Sequence, residues 1–245
     1  MKVLWRWLAL LVVAGLALQL FFIGRIALML ALDPQSTSFQ RSEAWRLATE
    51  RRELRWRQQW VPYAQISDQL KRAVIASEDG GFISHDGVEW EAIEKAWQRN
   101  AKAEEQVARR AAQARPGRPV RAPKIVGGST ITQQLAKNLL LSGERTLPRK
   151  GQEFLLTLAL ETLLSKQRIL EIYLNNVEWG DGVFGAEAAA QHYYRKPAAR
   201  LSTWEAARLA VMLPRPKYFE TVPRSAYLSH RAGTIVARMG DAVLP

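Results

Sequence analysis

A chain of 245 residues without cysteine can bury an ordinary core unaided, and it excludes a disulfide framework or a thiolate metal site. Its 35 Lys and Arg outnumber 23 Asp and Glu, giving a formal charge of +12 and a pI near 10.3. Such a surface favours anionic partners: nucleic acid, phosphorylated ligands or an acidic membrane face.

Residues 1–32 open with Lys2 and Arg6, carry no charge from Trp7 to Gly24, and resume an apolar run from Ile26 to Leu32 after Arg25. A bilayer span needs about 20 apolar residues, and Arg25 can snorkel toward headgroups. A cleaved signal peptide has a shorter apolar core of about 7–15 residues, closed by a small-x-small site. Here the run continues past Ala17 with no convincing site after it, so the segment reads as a transmembrane anchor. Lys2 and Arg6 place the N-terminus in the cytoplasm and the remainder outside.

Residues 33–65 form a polar juxtamembrane connector in which Trp45, Trp56 and Trp60 stand among arginines. Tryptophans so placed suit headgroups or packing on the domain, and both readings stay open. From Ile66 to the end the chain reads as one domain. Ser67 or Asp68 can cap a helix that carries Leu70, Ala73, Val74 and Ser77 on one face. Residues 99–124 are rich in Ala and Arg and close with three prolines and a glycine, the composition of a mobile basic insertion or of a plain helix followed by a loop. Helices are expected at 130–142, 148–164, 166–176, 185–194 and 202–213. Alternating strand patterns are scarce, so the fold class is mainly α.

Four stretches carry candidate chemistry. In Ser77–Gly87 the carboxylates Glu78 and Asp79 fall at a helix C-terminus, where the helix dipole holds back ionisation. Desolvation in a cleft pushes a carboxyl further up, the condition for a general base working near neutral pH. Hydrogen bonding of the turn and His85 is the competing reading. In Gly127–Leu139, Thr130 and Gln133 have capping-box spacing, and the helix start offers free N–H groups to an anion. Lys137, on the face of Gln133, can stand over that anion. In Arg145–Phe154, Arg149 and Lys150 lie on the side of Glu153; the nearly all-apolar residues that follow imply a buried helix, and a phosphate ligand explains basic residues at its entrance. The stretch Lys166–Tyr194 shows no obvious nucleophile or base and reads as scaffold, with Ile169, Leu170, Tyr173 and Leu174 packed.

Together these stretches, over Ile66–Pro216, resemble the peptidoglycan glycosyltransferases of family 51. The first family motif stands as Glu78, Asp79, Phe82, His85 and Gly87; the second, G-G-S-T-I-T-Q-Q, as Gly127–Gln134. The third is Arg149, Lys150 and Glu153, and the fourth runs through Ile169–Asn175. The resemblance implies a lysozyme-like, two-lobed helical domain behind one N-terminal transmembrane helix, on the periplasmic side of a bacterial inner membrane. No serine motif of a penicillin-binding domain follows, which matches the monofunctional type.

By the same resemblance the substrate is lipid II and the product β-1,4 glycan. Glu78 is the implied base, and Glu153 orients the diphosphate or its cations. Lys137, Arg145, Arg149 and Lys150 offset the diphosphate charge. Ser129, Thr130, Gln133 and Gln134 are expected to line the donor cleft, while Asp79, Phe82 and His85 shape the surroundings of the base. No cofactor is implied. A divalent cation such as Mg²⁺ is compatible with the diphosphate, though no ligand cluster in the sequence marks a metal site. The implied partners are lipid II, the growing lipid-linked glycan, the membrane and other cell-wall synthases, with no nucleic acid. Two rival functions are a lysozyme-like glycan-cleaving enzyme and a non-enzymatic membrane-anchored wall scaffold.

Overall fold

The computed structural model describes residues 1–51, 55–113, 127–144 and 146–245. It begins with α1 (Lys2–Leu28), in which an 18-residue stretch has a mean hydropathy of 2.3 and the side chains are almost wholly exposed, as suits a bilayer. At 1.5 Å per residue such a helix is roughly 40 Å long, enough for a hydrocarbon core of about 30 Å. Its C-terminal end is docked: Ile26 is fully buried, and Met29 just beyond joins the same core.

Thr37 caps α2 (Ser38–Arg46) through a capping box with Gln40. The connector then forms β1 (Arg57–Gln58), and of its two open readings packing holds for two tryptophans. Trp56 lies against Phe184 at 4.6 Å between ring centroids, and the Arg168 guanidinium sits over Trp60; Trp45 is exposed. The next helices are α3 (Asp68–Glu78), capped by Ser67, and α4 (Trp90–Gln113). The first part of the basic insertion, 99–113, is therefore helix continuing α4; positions 114–124 lie outside the described residues. Then follow α5 (Ile131–Leu140), α6 (Leu147–Leu163) and α7 (Lys166–Asn176). A hairpin of β2 (Glu178–Gly180) and β3 (Val183–Phe184) leads to α8 (Ala186–Tyr194), α9 (Thr203–Met212), α10 (Pro216–Thr221) and α11 (Ala226–Arg238). The five anticipated helices fall within two residues of their expected ends.

The strands are too short for an alternating pattern to show in sequence. They form one sheet in the order β1-β3-β2, with β1 parallel to β3 and β2 antiparallel to it. Gly182 makes the hairpin possible: its φ is +76°, and a Cβ there would lie 1.9 Å from the Arg55 carbonyl oxygen. Asn175 substitutes for another strand, since its side chain accepts from Val61 N at 2.9 Å and donates to Val61 O at 3.0 Å.

Two helix groups share the core. In one, α3 packs on α9 and α11; in the other, α5 packs on α6 and α7, and α6 also meets α1. Leu70, Ile75, Leu209 and Ile235 are essentially inaccessible in the first group, each contributing roughly 1.5–3 kcal/mol by burial. The expectation of a buried α6 needs correction. Leu156, Thr157 and Leu160 are buried, but Leu155 and Leu158 are 50% and 39% exposed. The apolar residues outside the buried stripe belong to the same helix that α1 packs against, so a membrane solvent accounts for them better than a protein core.

Candidate active site

Glu78 is the last residue of α3, where the chain must turn and the backbone dipole is negative. Burial pushes its carboxyl above the ordinary glutamate range, and the neighbouring charge of Asp79 adds to this; hydrogen bonds from Gln134 and Ser77, and the charge of Arg231, oppose it. Gln134 Nε2 donates to Glu78 Oε2 at 3.0 Å, and the Tyr173 hydroxyl donates to Gln134 Oε1 at 3.0 Å. A carboxylate only accepts, so this chain fixes the amide's orientation. Glu78 is thus held by Gln134 of α5, which Tyr173 of α7 in turn orients.

Asp79 is 4% exposed and joins the two helix groups. Its Oδ2 accepts from Ile131 N, the first N–H of α5, at 2.9 Å. Its Oδ1 meets His85 Nε2 at 2.8 Å. Because Gly87 N donates to His85 Nδ1 at 3.0 Å, the proton of a neutral ring resides on Nε2 and points at Asp79. Gly87 itself is required: its φ is +83°, and a Cβ would come within 2.7 Å of Glu161 and Thr157 side-chain atoms. Phe82 is fully buried under this turn, with the Lys166 ammonium 4.8 Å from its ring centroid. Asp79, Phe82 and His85 therefore build the platform on which Glu78 stands.

The second motif divides. Thr130 and Gln133 are 2% and 5% exposed and form the capping box of α5; Thr130 Oγ1 also donates to Gly87 O at 2.6 Å. Their side chains lie beneath the cleft as a joint. Ser129 is exposed just ahead of the helix. Gln134 and Lys137 instead line a cleft of about 620 Å³, together with Asn138, Arg149, Glu178 and Pro216. Glu153 is buried at 3% exposure at the start of α6. Arg149 Nη1 donates to its Oε2 at 2.9 Å, and Lys150 contacts its Oε1. Among the described residues Arg149 Nε is buried without a hydrogen-bond partner, a donor left over at the cleft wall. Arg145 lies outside the described residues.

Three residues had no role at the site in the sequence reading. Tyr173 reads there as a packing residue, and only its hydroxyl partner shows its second role. Arg231, on α11, makes its charge felt at Glu78 across the α3–α11 packing; an amphipathic helix after α10 was the signal available. Glu178 begins β2 at 7% exposure. Burial raises its carboxyl to about 7 against the pull of Lys217, whose Nζ is 3.3 Å from Oε1.

Among the described residues, two groups bring possible metal-ligand atoms within 4.8 Å of one another: Asp79, His85 and Glu89, and Glu43, Glu178 and Asp181. In the first, both Asp79 oxygens are engaged by His85 and Ile131. In the second, Lys217 contacts Glu43 and Glu178 while Arg46 contacts Glu43 and Asp181. Protein protons and cations already fill the places a divalent ion would take, so these groups do not fit one as paired.

Residues 46–240 match the family model described as Transglycosylase. The chain is 53% identical over 98% of its length to the biosynthetic peptidoglycan transglycosylase of Burkholderia thailandensis, covering 88% of that protein. It is equally similar to the protein of that name from Burkholderia pseudomallei, at 53% with the same coverage. To the one from Paraburkholderia phytofirmans it is 51% identical over 98% of its length and 94% of the relative's. With a family model matched over most of the chain and relatives more than half identical along nearly its whole length, this chain belongs to the transglycosylase family.

Proposed function

We propose that the chain polymerises peptidoglycan glycan strands from lipid II at the outer face of a bacterial inner membrane. The reaction is an inverting transfer of the lipid-linked glycan. Glu78, ionised, accepts the proton of the acceptor GlcNAc 4-hydroxyl as its oxygen attacks C1 of the donor MurNAc. A β-1,4 bond forms, the C1–O bond to the diphosphate breaks with its electron pair, and undecaprenyl diphosphate leaves. Lys137 and Arg149 on the cleft wall, with Lys150 beside Glu153, offset the developing charge; such preorganised donors are typically worth about 10²–10³ in rate. Glu153 keeps the Arg149 and Lys150 side chains in place.

The observation that carries this reading is Gln134: one side chain both lines the cationic cleft and holds the base. The names of the relatives support the substrate class. The anchor supports the location. Gln19 of α1 and Gln152 of α6 exchange hydrogen bonds at 2.7 and 3.0 Å, next to Glu153. The cation cradle is thereby tied to the membrane helix, where a lipid diphosphate resides. A glycan-cleaving enzyme has no use for such a cradle. Incubation with lipid II and, separately, with finished glycan distinguishes the two: polymer growth from lipid II is expected, and shortening of glycan without growth overturns the proposal.

A further inference from the structure

The uncharged run of α1, Trp7 to Gly24, ends directly before Arg25. At 1.5 Å per residue it spans roughly 27 Å, close to a hydrocarbon core of about 30 Å, so Arg25 stands at headgroup level on the side of the domain. An arginine that merely snorkels turns outward to the lipid. Arg25 is instead partly buried and lines a cavity of about 280 Å³ between the end of the anchor and the start of α2. Arg41 lines the same cavity, and its charge is felt at Arg25. Among the described residues, neither guanidinium meets a carboxylate. The Arg25 guanidinium carbon lies 5.9 Å from the centre of the Phe21 ring. Arg41 donates to the Ser36 carbonyl at 3.3 Å and to the hydroxyls of Ser36 and Ser38 at 3.1 and 3.0 Å. The acid in the wall is Asp33, and Arg168 holds its Oδ1 at 2.7 Å. Arg168 also pairs with Glu171 and donates to the carbonyls of Met29 and Leu32. Three guanidiniums thus stand against two carboxylates, and both carboxylates are on Arg168. Two like charges drawn together with no acid between them suit a tetrahedral phosphate, whose several oxygens can accept from both forks.

Arg41 also lines the cleft, with Gln134, Lys137 and Arg149. One side chain therefore belongs both to the cavity at the bilayer surface and to the cleft that holds the cations beside Glu153. We infer that Arg25 and Arg41 form a site for the phosphate of a membrane lipid at the mouth of the cleft. Resting on the reaction proposed above, the favoured source of that phosphate is the lipid-linked diphosphate of the substrate, held between bilayer and cleft. The phosphate of a phospholipid is the other source of the same chemistry; the arginine shared with the cleft favours the substrate.

The test uses the full chain in a non-ionic detergent free of phospholipid, with lipid II and phosphatidylglycerol as separate probes. With lipid II, Arg25→Gln is expected to raise KM roughly tenfold with kcat kept, the loss of about one charge-assisted hydrogen bond. Arg41→Gln should raise KM likewise, and Arg25→Lys, which retains charge but not the fork, should recover part of the difference. Phosphatidylglycerol retained on the purified chain is read by native mass spectrometry. An unchanged KM together with lost retention in Arg25→Gln keeps the site and gives it to a phospholipid. Unchanged KM and unchanged retention in both glutamine variants overturn the site. A wild-type chain that polymerises no lipid II sinks the proposed reaction instead, while the phosphatidylglycerol arm still reads the site, so the two failures are separable.

Discussion

Gln134 Nε2 donates to Glu78 Oε2 at 3.0 Å, and this bond ties the end of α3 to the cleft-facing side of α5. The bond favours the ionised form of a carboxyl that burial pushes above the ordinary glutamate range. Replacing Gln134 by Ala removes that support, so the Glu78 carboxyl should titrate at higher pH. The acid limb of the kcat/KM profile should move upward, with a greater loss of polymerisation at pH 6 than at pH 8. An unmoved limb with a uniform loss at all pH values would show that Gln134 acts on binding alone.

Asp79 accepts from His85 and from the first N–H of α5 while almost fully buried. In Asp79→Asn one amide hydrogen must face a donor, leaving a buried group unsatisfied. The cost is about 2 kcal/mol, a fall in Tm of roughly 4–8 °C for a domain of this size. Thermal unfolding in detergent reads it directly. A Tm within about 1 °C of wild type would remove Asp79 from the joint between the helix groups.

Glu178 titrates at about 7 in the folded chain, chiefly through burial, against an ordinary value of 4.5. Between those pH values the folded state holds a proton that the unfolded chain has released, so stability falls as pH rises through 7. The contribution is fully present below the ordinary value and amounts to about 3 kcal/mol. Glu178→Gln should flatten the decline in urea stability between pH 5 and pH 8 and leave the variant the more stable at pH 8. Parallel curves for the two proteins would contradict the raised carboxyl.

The parts legible in sequence were those with local causes. Ser, Thr and Pro at helix starts mark α5, α6, α7 and α9, and each begins where its cap stands. Glu78 at a helix end is readable from Gly80 and Gly81, which follow Asp79 and let the helix stop. What stayed hidden depends on contacts across the fold. The exposed apolar face of α6 looks like core until α1 is placed beside it. Thr130 and Gln133 belong to the conspicuous motif, yet they cap and join rather than line the cleft, because Asp79 and Gly87 dock under them. Tyr173 and Arg231 reach Glu78 from helices nearly 100 and over 150 residues downstream, a distance no periodicity spans.

The most direct measurement is the rate of lipid II polymerisation by Glu78→Gln, made with a circular-dichroism check that the helices persist. Loss of the base should slow chain growth by at least about 10²-fold while helix content and Tm stay near wild type. A correctly folded Glu78→Gln enzyme that polymerises within a few-fold of wild type would contradict the assignment of Glu78 as the group that takes the acceptor's proton.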